Sequence, residues 1–299
     1  MCYLAIINLV RFINNDYLCH MIFYFSGTGN SQWAAKTLAL QTQDELYSIA
    51  KIIKTDCTFR LKKGEQVGFV FPVHGWRVPR IVRVFLQKLK LTDEEDQPLK
   101  HHCFCLMTAG DTIAKAMERF QQHLHEVPIG KMLELDLVGS VIMPESYVGL
   151  PGMDVDTKEK ELEKKQAAEV YLRDFGKKII QKQKEDDYKP YGWKELMVGP
   201  LPWFFSVPVG GFFERFLITD KPFHVDHQRC VKCGICANVC PVADIKGGLG
   251  YEPEWLHNKK CLTCFACYHH CPHHAIEYGK RTVKKGQYFY NRYKVKENI

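Results

Sequence analysis

From Met21 onward, short apolar runs alternate with stretches whose apolar residues recur at helical spacing. The run "MIFYF", Met21 to Phe25, reads as a buried strand, and "NSQWAAKTLAL" after it places Trp33, Ala34, Thr37 and Leu38 on one helical face. Further strands are expected around Leu46 to Ile49, at Val67 to Val73, at Cys103 to Gly110 and in "LDLVGSVIMP", ending at Pro144. Between them, "PRIVRVFLQKLK" has Pro79 at a helix start and Ile81, Val84, Phe85 and Leu89 on one stripe. Thr112 to Glu126 supplies another helix, and Thr157 to Lys184 a last one, so charged that most of it must be solvated. Strands and helices alternating in this way imply a parallel sheet covered on both faces. Residues 21–187 therefore read as one α/β domain. Residues 1–20 read as an extension outside its core, with a short membrane-surface helix as the alternative.

The segment Leu196 to Leu217 is strongly apolar but is interrupted by Gly199, Pro200, Pro202, Pro208, Gly210 and Gly211, and it carries Glu214 and Arg215 near its end. A spanning helix wants about 20 uninterrupted apolar residues. No membrane-spanning segment is expected. Residues 188–221 read as a buried apolar linker between two domains, with peripheral membrane contact as the alternative. The composition, 46% hydrophobic and 25% charged over 299 residues, is that of a soluble globular chain. Its net charge of +7 comes without any basic block interleaved with aromatics, so nucleic acid is not an expected partner. No basic residue precedes the apolar start and no small-residue cleavage site follows it, which argues against a signal peptide.

Cysteine placement changes the picture. Of thirteen cysteines, Cys2, Cys19, Cys57, Cys103 and Cys105 are scattered, while the other eight fall between Cys230 and Cys271. Such clustering points to metal ligation in a reducing compartment, and hence to a cytoplasmic protein, and not to a disulfide framework. Two copies of CxxCxxCxxxCP begin at Cys230 and Cys261, a repeat of 31 residues (230 to 261). Zinc sites usually join two separated cysteine pairs, whereas three cysteines at two-residue gaps wrap a loop around a cube-shaped iron cluster. Both copies end in proline, Pro241 and Pro272, and close on Ile245 and Ile276.

These motifs resemble those of bacterial-type ferredoxins with two 4Fe-4S clusters, over about His224 to Tyr278. The resemblance implies low-potential one-electron transfer. It also implies that the last cysteine of each run serves the other cluster, so that Cys230, Cys233, Cys236 and Cys271 hold one while Cys261, Cys264, Cys267 and Cys240 hold the second. From Pro222 to Ile299 there are twelve Lys and Arg against six Asp and Glu, which would offset cluster charge and raise the potential. His269, His270, His273 and His274 are expected to be solvated surface residues.

The turn "FSGTGNS" ends the first strand and opens the first helix. Gly27 and Gly29 allow a tight turn whose N–H groups face an anion, and Ser26, Thr28 and Ser31 add hydroxyls around Asn30. There is no GK[ST], and Gln32 stands where a dinucleotide fingerprint needs its third glycine. A hydroxyl-rich turn without fixed charge suits a phosphate monoester such as that of FMN. The pattern resembles the phosphate loop of flavodoxins, whose strand order 2-1-3-4-5 places FMN beside the first and third strands. That resemblance, over Met21 to Lys184, implies that His74, Gly75 and Trp76 lie along the isoalloxazine, with Trp76 stacking on it. Thr108, Ala109 and Gly110 should form the opposite wall, where Tyr147 would supply the missing aromatic.

The whole chain resembles fused flavodoxin-ferredoxin proteins of anaerobic metabolism. The expected fold is a flavodoxin-like doubly wound five-stranded parallel sheet followed, at residues 222–299, by a small α+β two-cluster ferredoxin domain with a C-terminal tail. The expected function is electron transfer between FMN and the two clusters, relayed to or from redox partner proteins. The competing readings are a flavin-dependent reductase of a small acceptor fed by the clusters and a non-catalytic redox sensor. No nucleophile-base pair or paired catalytic carboxylates stand out.

Overall fold

The computed structural model describes residues 21–93, 100–183 and 189–292. The expected extension at residues 1–20 lies outside them. Strand β1 (Met21–Tyr24) is flanked by β2 (Glu45–Ser48) and, on its other side, by the central strand β4 (Val67–Pro72). Beyond β4 come β6 (His101–Ala109) and β7 (Leu133–Ile142), all parallel, giving the order β2-β1-β4-β6-β7. Among the strands of this sheet that is the 2-1-3-4-5 order of the flavodoxin-like fold.

Alternation of side chains sorts the core into two layers. Phe23, Phe69, Phe71, Cys103 and Cys105 face helices α3 (Arg80–Lys88) and α4 (Ala116–His125). Ile22, Val70, Phe104 and Leu106 face α1 (Asn30–Thr42) and α5 (Lys158–Ile180). Each fully buried Phe contributes roughly 1.5–3 kcal/mol by leaving water, and such rings lie on both faces of the sheet, Phe23, Phe69 and Phe71 on one and Phe104 on the other.

Several helical faces differ from the expected ones. In α3 the buried residues are Ile81, Val82, Phe85 and Leu86, while Val84 points outward. In α1 they include Ala34, Ala35, Leu38 and Ala39, while Trp33 stacks on Tyr290 at 4.9 Å. A separate parallel pair, β3 (Thr58–Leu61) with β5 (Lys90–Asp93), was not legible in the pattern because each strand buries a single side chain.

The apolar segment is not a buried linker. Residues 202–217 form a helical stretch of α and wider π turns: Pro202–Phe204, Phe205–Val209, Gly210–Phe212 and Phe213–Leu217. Pro202 occupies the first turn, where its missing N–H costs nothing, and Pro208 falls in a π turn. The stretch buries Ser206, Gly210 and Phe213 but exposes Leu201, Trp203, Phe204, Phe212 and Phe216. Among the described residues no helix is long and apolar enough to cross a membrane.

The C-terminal unit has two antiparallel pairs, β8 (Phe223–Val225) with β11 (Ile276–Tyr278) and β9 (Ile245–Gly248) with β10 (Tyr251–Trp255). Its two short helices are α6 (Ile235–Asn238) and α7 (Ala266–His269). The sequence repeat is also a backbone repeat. Left-handed residues Lys232, Gly234 and Ala243 in the first copy match Thr263, Phe265 and His274 in the second. Likewise the Asp244 N–H donates to Cys240 Sγ at 3.3 Å and the Ala275 N–H to Cys271 Sγ at 3.2 Å.

Candidate cofactor sites and the wall between them

The glycine-rich turn leaves β1 at its carboxyl end and enters α1, and the loops after β4, β6 and β7 converge on the same end of the sheet. Ser26 Oγ accepts the Gly29 N–H at 3.0 Å, Ser31 and Thr108 share a hydroxyl hydrogen bond of 2.8 Å, and the Val73 N–H donates to the Thr108 carbonyl at 3.0 Å. Three loops are thereby fixed to one another around a cavity of about 1010 Å3, open mouth included. Ser26, Gly27, Thr28, Asn30, Ser31, His74, Gly75, Trp76, Thr108, Ala109, Gly110 and Tyr147 all line it, and among the described residues no Lys or Arg does. Of the expected residues only Gly29 is not part of the lining. It lies under Tyr290, whose N–H donates to the Thr28 carbonyl at 2.8 Å.

Asn30 is committed elsewhere through its side chain. Its amide donates to the Pro144 carbonyl at 3.0 Å and accepts from the Tyr288 hydroxyl at 2.5 Å, so the C-terminal tail is tied to the start of α1. Trp76 packs at 4.9 Å on Phe205 while still lining the cavity. Burial pushes the His74 imidazole down to about 4, which keeps it neutral beside the cavity.

Sequence reasoning missed part of this wall. Glu145 faces the cavity, with its carboxylate accepting the Ser146 and Tyr147 N–H groups at 2.9 and 2.8 Å; burial raises its pKa against those bonds and Lys164. Phe213 comes from the 202–217 stretch and packs 5.3 Å from Tyr147. Leu262, Thr263 and Cys264 come from the second cysteine loop. Gly27 touches that loop so closely that an added Cβ would lie 3.0 Å from Cys264 Cβ and 3.4 Å from its Sγ. Nothing in the pattern signals a contact between residues so distant along the chain.

The eight clustered cysteines line two smaller cavities. Cys230, Cys233, Cys236 and Cys271 surround one of about 340 Å3, and Cys240, Cys261, Cys264 and Cys267 surround another of about 310 Å3. Among the described residues no three His, Cys, Asp or Glu side chains converge tightly enough for a single metal ion. The sulfurs are spaced around a volume, as a multi-iron cube requires. Burial pushes the Cys236 thiol up to about 11 and the Cys264 thiol up to about 12, so bare thiolates would be costly there. Coordinated iron supplies the positive charge that deprotonates such ligands.

The expectation of solvated histidines fails for His269, and His270 is half-buried. His269 is buried, donates from Nε2 to the Ser146 carbonyl at 2.7 Å, and accepts the Tyr288 N–H on Nδ1 at 3.1 Å, which joins the cysteine unit to the loop after β7. Burial holds its pKa down to about 3. His273 is exposed and His274 half-buried.

Comparisons with known proteins touch each unit separately. Residues 223–272 match the family model of the 4Fe-4S dicluster domain. Among solved structures, the flavodoxin of Streptococcus pneumoniae TIGR4 is similar at 13% identity, with 54% of this chain and 99% of that one covered and a TM-score of 0.31. The Trp repressor binding protein of Bacillus subtilis is similar at 16% identity, over 51% of this chain and 95% of that one, with a TM-score of 0.31. No curated protein matches the chain in sequence. The sheet order itself carries the assignment of the first unit. The second unit is that of a redox protein built on iron-sulfur chemistry. This chain joins that 4Fe-4S dicluster domain to a flavodoxin-like fold.

Proposed function

We propose that the chain relays electrons between FMN in the larger cavity and two 4Fe-4S clusters held by the eight cysteines, serving redox partner proteins. The carrying observation is Cys264, which belongs at once to the wall of the larger cavity and to the second thiol ring. None of the four cysteines of the first ring lines the larger cavity. In this reading the second ring is the flavin's neighbour and the first ring faces outward, where Val231, Lys232 and Tyr251 are exposed for a partner.

The residues fit each group. Gly27, Thr28 and Ser31 line the cavity beside the start of α1, where a helix N-terminus favours an anion, and the hydroxyls of Thr28 and Ser31 stand in place of fixed charge. In this reading Pro72 to Trp76 and Thr108 to Gly110, which line the cavity with Tyr147 and Phe213, would border the flavin ring. When bound, FMN exchanges two electrons and each cluster one, which lets one chain couple a two-electron partner to one-electron partners. The chain's own part is to hold the two cavities against a shared wall, to keep His74 neutral and to exclude water with Phe213 and Leu262.

A second reading, reduction of a small acceptor, is favoured by one feature. Leu150 and Met153 give the larger cavity an apolar side beyond the loops expected to grip FMN. Saturable turnover with one class of acceptor would distinguish it from indiscriminate reduction of artificial acceptors. The relay is tested by composition of protein purified without oxygen, which should hold about eight irons, about eight sulfides and one FMN per chain. Zinc in place of iron, or absence of flavin after FMN supplementation, would overturn it.

A further inference from the structure

We propose that the exposed face of the 202–217 helical stretch docks on the surface of an anionic lipid bilayer. Because its turns are partly π-type, residues four apart share a face. Phe204, Pro208, Phe212 and Phe216 run along the outside, while Ser206, Gly210 and Glu214 run along the inside. Trp203 and Leu201 extend the outer stripe, and Met197 and Val198 are exposed just before it. Phe212 and Phe216 lie 5.0 Å apart, with the Arg215 guanidinium 5.6 Å over the Phe216 ring.

The inner face is firmly held, so this exposure is a property of the folded protein. Arg77 donates from Nε to the Ser206 carbonyl at 2.9 Å, from Nη2 to the Val207 carbonyl at 3.2 Å and from Nη1 to Glu214 at 2.8 Å. Ser206 Oγ donates to the Trp76 carbonyl at 2.9 Å and accepts the Lys115 N–H at 2.8 Å.

Charge selects the occupant. The one carboxylate of the stretch, Glu214, is turned inward and paired with both Arg77 and Arg83. Arg215 and, beyond the stretch, Lys189, Lys194 and Lys221 are exposed, against a single exposed acid in that span, Glu195, which lies 3.4 Å from Lys178. An exposed aromatic stripe that carries Arg215 over one of its rings, with exposed lysines close by in sequence, is the pattern of a helix that lies in the headgroup region of anionic lipid. A second copy of this chain would bring like charges together around the same stripe. Phe213, next to the exposed Phe212, lines the flavin cavity, so docking here would hold that cavity about a helix's width, roughly 10 Å, from the bilayer.

The test uses the full cofactor-loaded chain and sedimentation with vesicles of phosphatidylcholine alone or mixed with phosphatidylglycerol. The protein should sediment with the phosphatidylglycerol vesicles and less with neutral ones. The double variant Phe212→Ser, Phe216→Ser should lose at least about tenfold in partitioning. Trp203 emission should shift to the blue on binding, a shift absent from Trp203→Phe. Unchanged iron and FMN content in the variants keeps this result separate from the fate of the relay. Failure to bind either vesicle, equal binding by the double variant, or a dimer that the double variant abolishes would overturn the proposal.

Discussion

Gly75→Ala probes the join between the loop after β4 and the 202–217 stretch. Gly75 has φ +55, and a Cβ built there would lie 2.5 Å from Phe213 Cδ1 and 3.0 Å from its Cγ. The left-handed backbone costs an alanine about 1–2 kcal/mol. Forcing a methyl onto a packed ring adds roughly 1–3 kcal/mol. For a unit of this size the sum, about 2–5 kcal/mol, corresponds to a fall of roughly 5–15 °C in Tm. In a Phe213→Ala background the ring is gone and only the backbone cost should remain. Thermal unfolding of the four cofactor-loaded proteins closes a double-mutant cycle, and a coupling of about 1–3 kcal/mol is expected. Additive effects within about 0.5 kcal/mol would refute the claim that Phe213 and Gly75 share one close contact at the cavity wall.

Ser31→Ala removes a hydroxyl shared with Thr108 and should weaken FMN binding by about 1–1.5 kcal/mol, about tenfold in Kd by titration of the apoprotein; unchanged affinity counts against the phosphate turn. Cys236→Ala and Cys264→Ala should each cost about four irons, but only Cys264→Ala should also alter flavin emission, since only Cys264 lines the larger cavity. Identical flavin spectra in the two would remove the shared wall. Asp44 is buried, and that burial pushes its carboxyl from 3.8 to about 7, above its unfolded value. Its protonated form therefore stabilises the fold at low pH, and this contribution is lost as pH rises through about 7, a difference on the order of 4 kcal/mol. Asp44→Asn should flatten that dependence and raise Tm at pH 8 relative to the unaltered protein; a parallel pair of stability curves would refute it.

Much of this was legible because it is local. Four strands of the main sheet follow from apolar runs such as "VGFVFPV", whereas β2 is the half-polar Glu45–Ser48 and the expected Ile49 opens a helix instead; the cysteine spacing declares itself in both copies. The pair β3 and β5 escaped notice because short strands with one buried side chain each leave no periodic signal. Prolines and glycines in residues 196–217 spoke against a spanning helix and left a buried linker as the reading, yet a proline in the first turn and another in a π turn are compatible with a helix. The histidines misled for a different reason. Nothing near His269 in sequence reveals that Ser146 and Tyr288 close over it, just as nothing near Gly27 reveals Cys264. Site composition was readable, whereas contacts between distant segments had to be seen.

The central claim is that flavin and iron-sulfur chemistry meet within one molecule, across the wall that Gly27 and Cys264 share. The most direct measurement is to reduce the bound flavin with a short light pulse in the absence of oxygen and follow bleaching of the cluster absorbance at several protein concentrations. The account predicts a first-order rate that does not change with concentration. A rate that rises in proportion to concentration, or no bleaching at all, would contradict it.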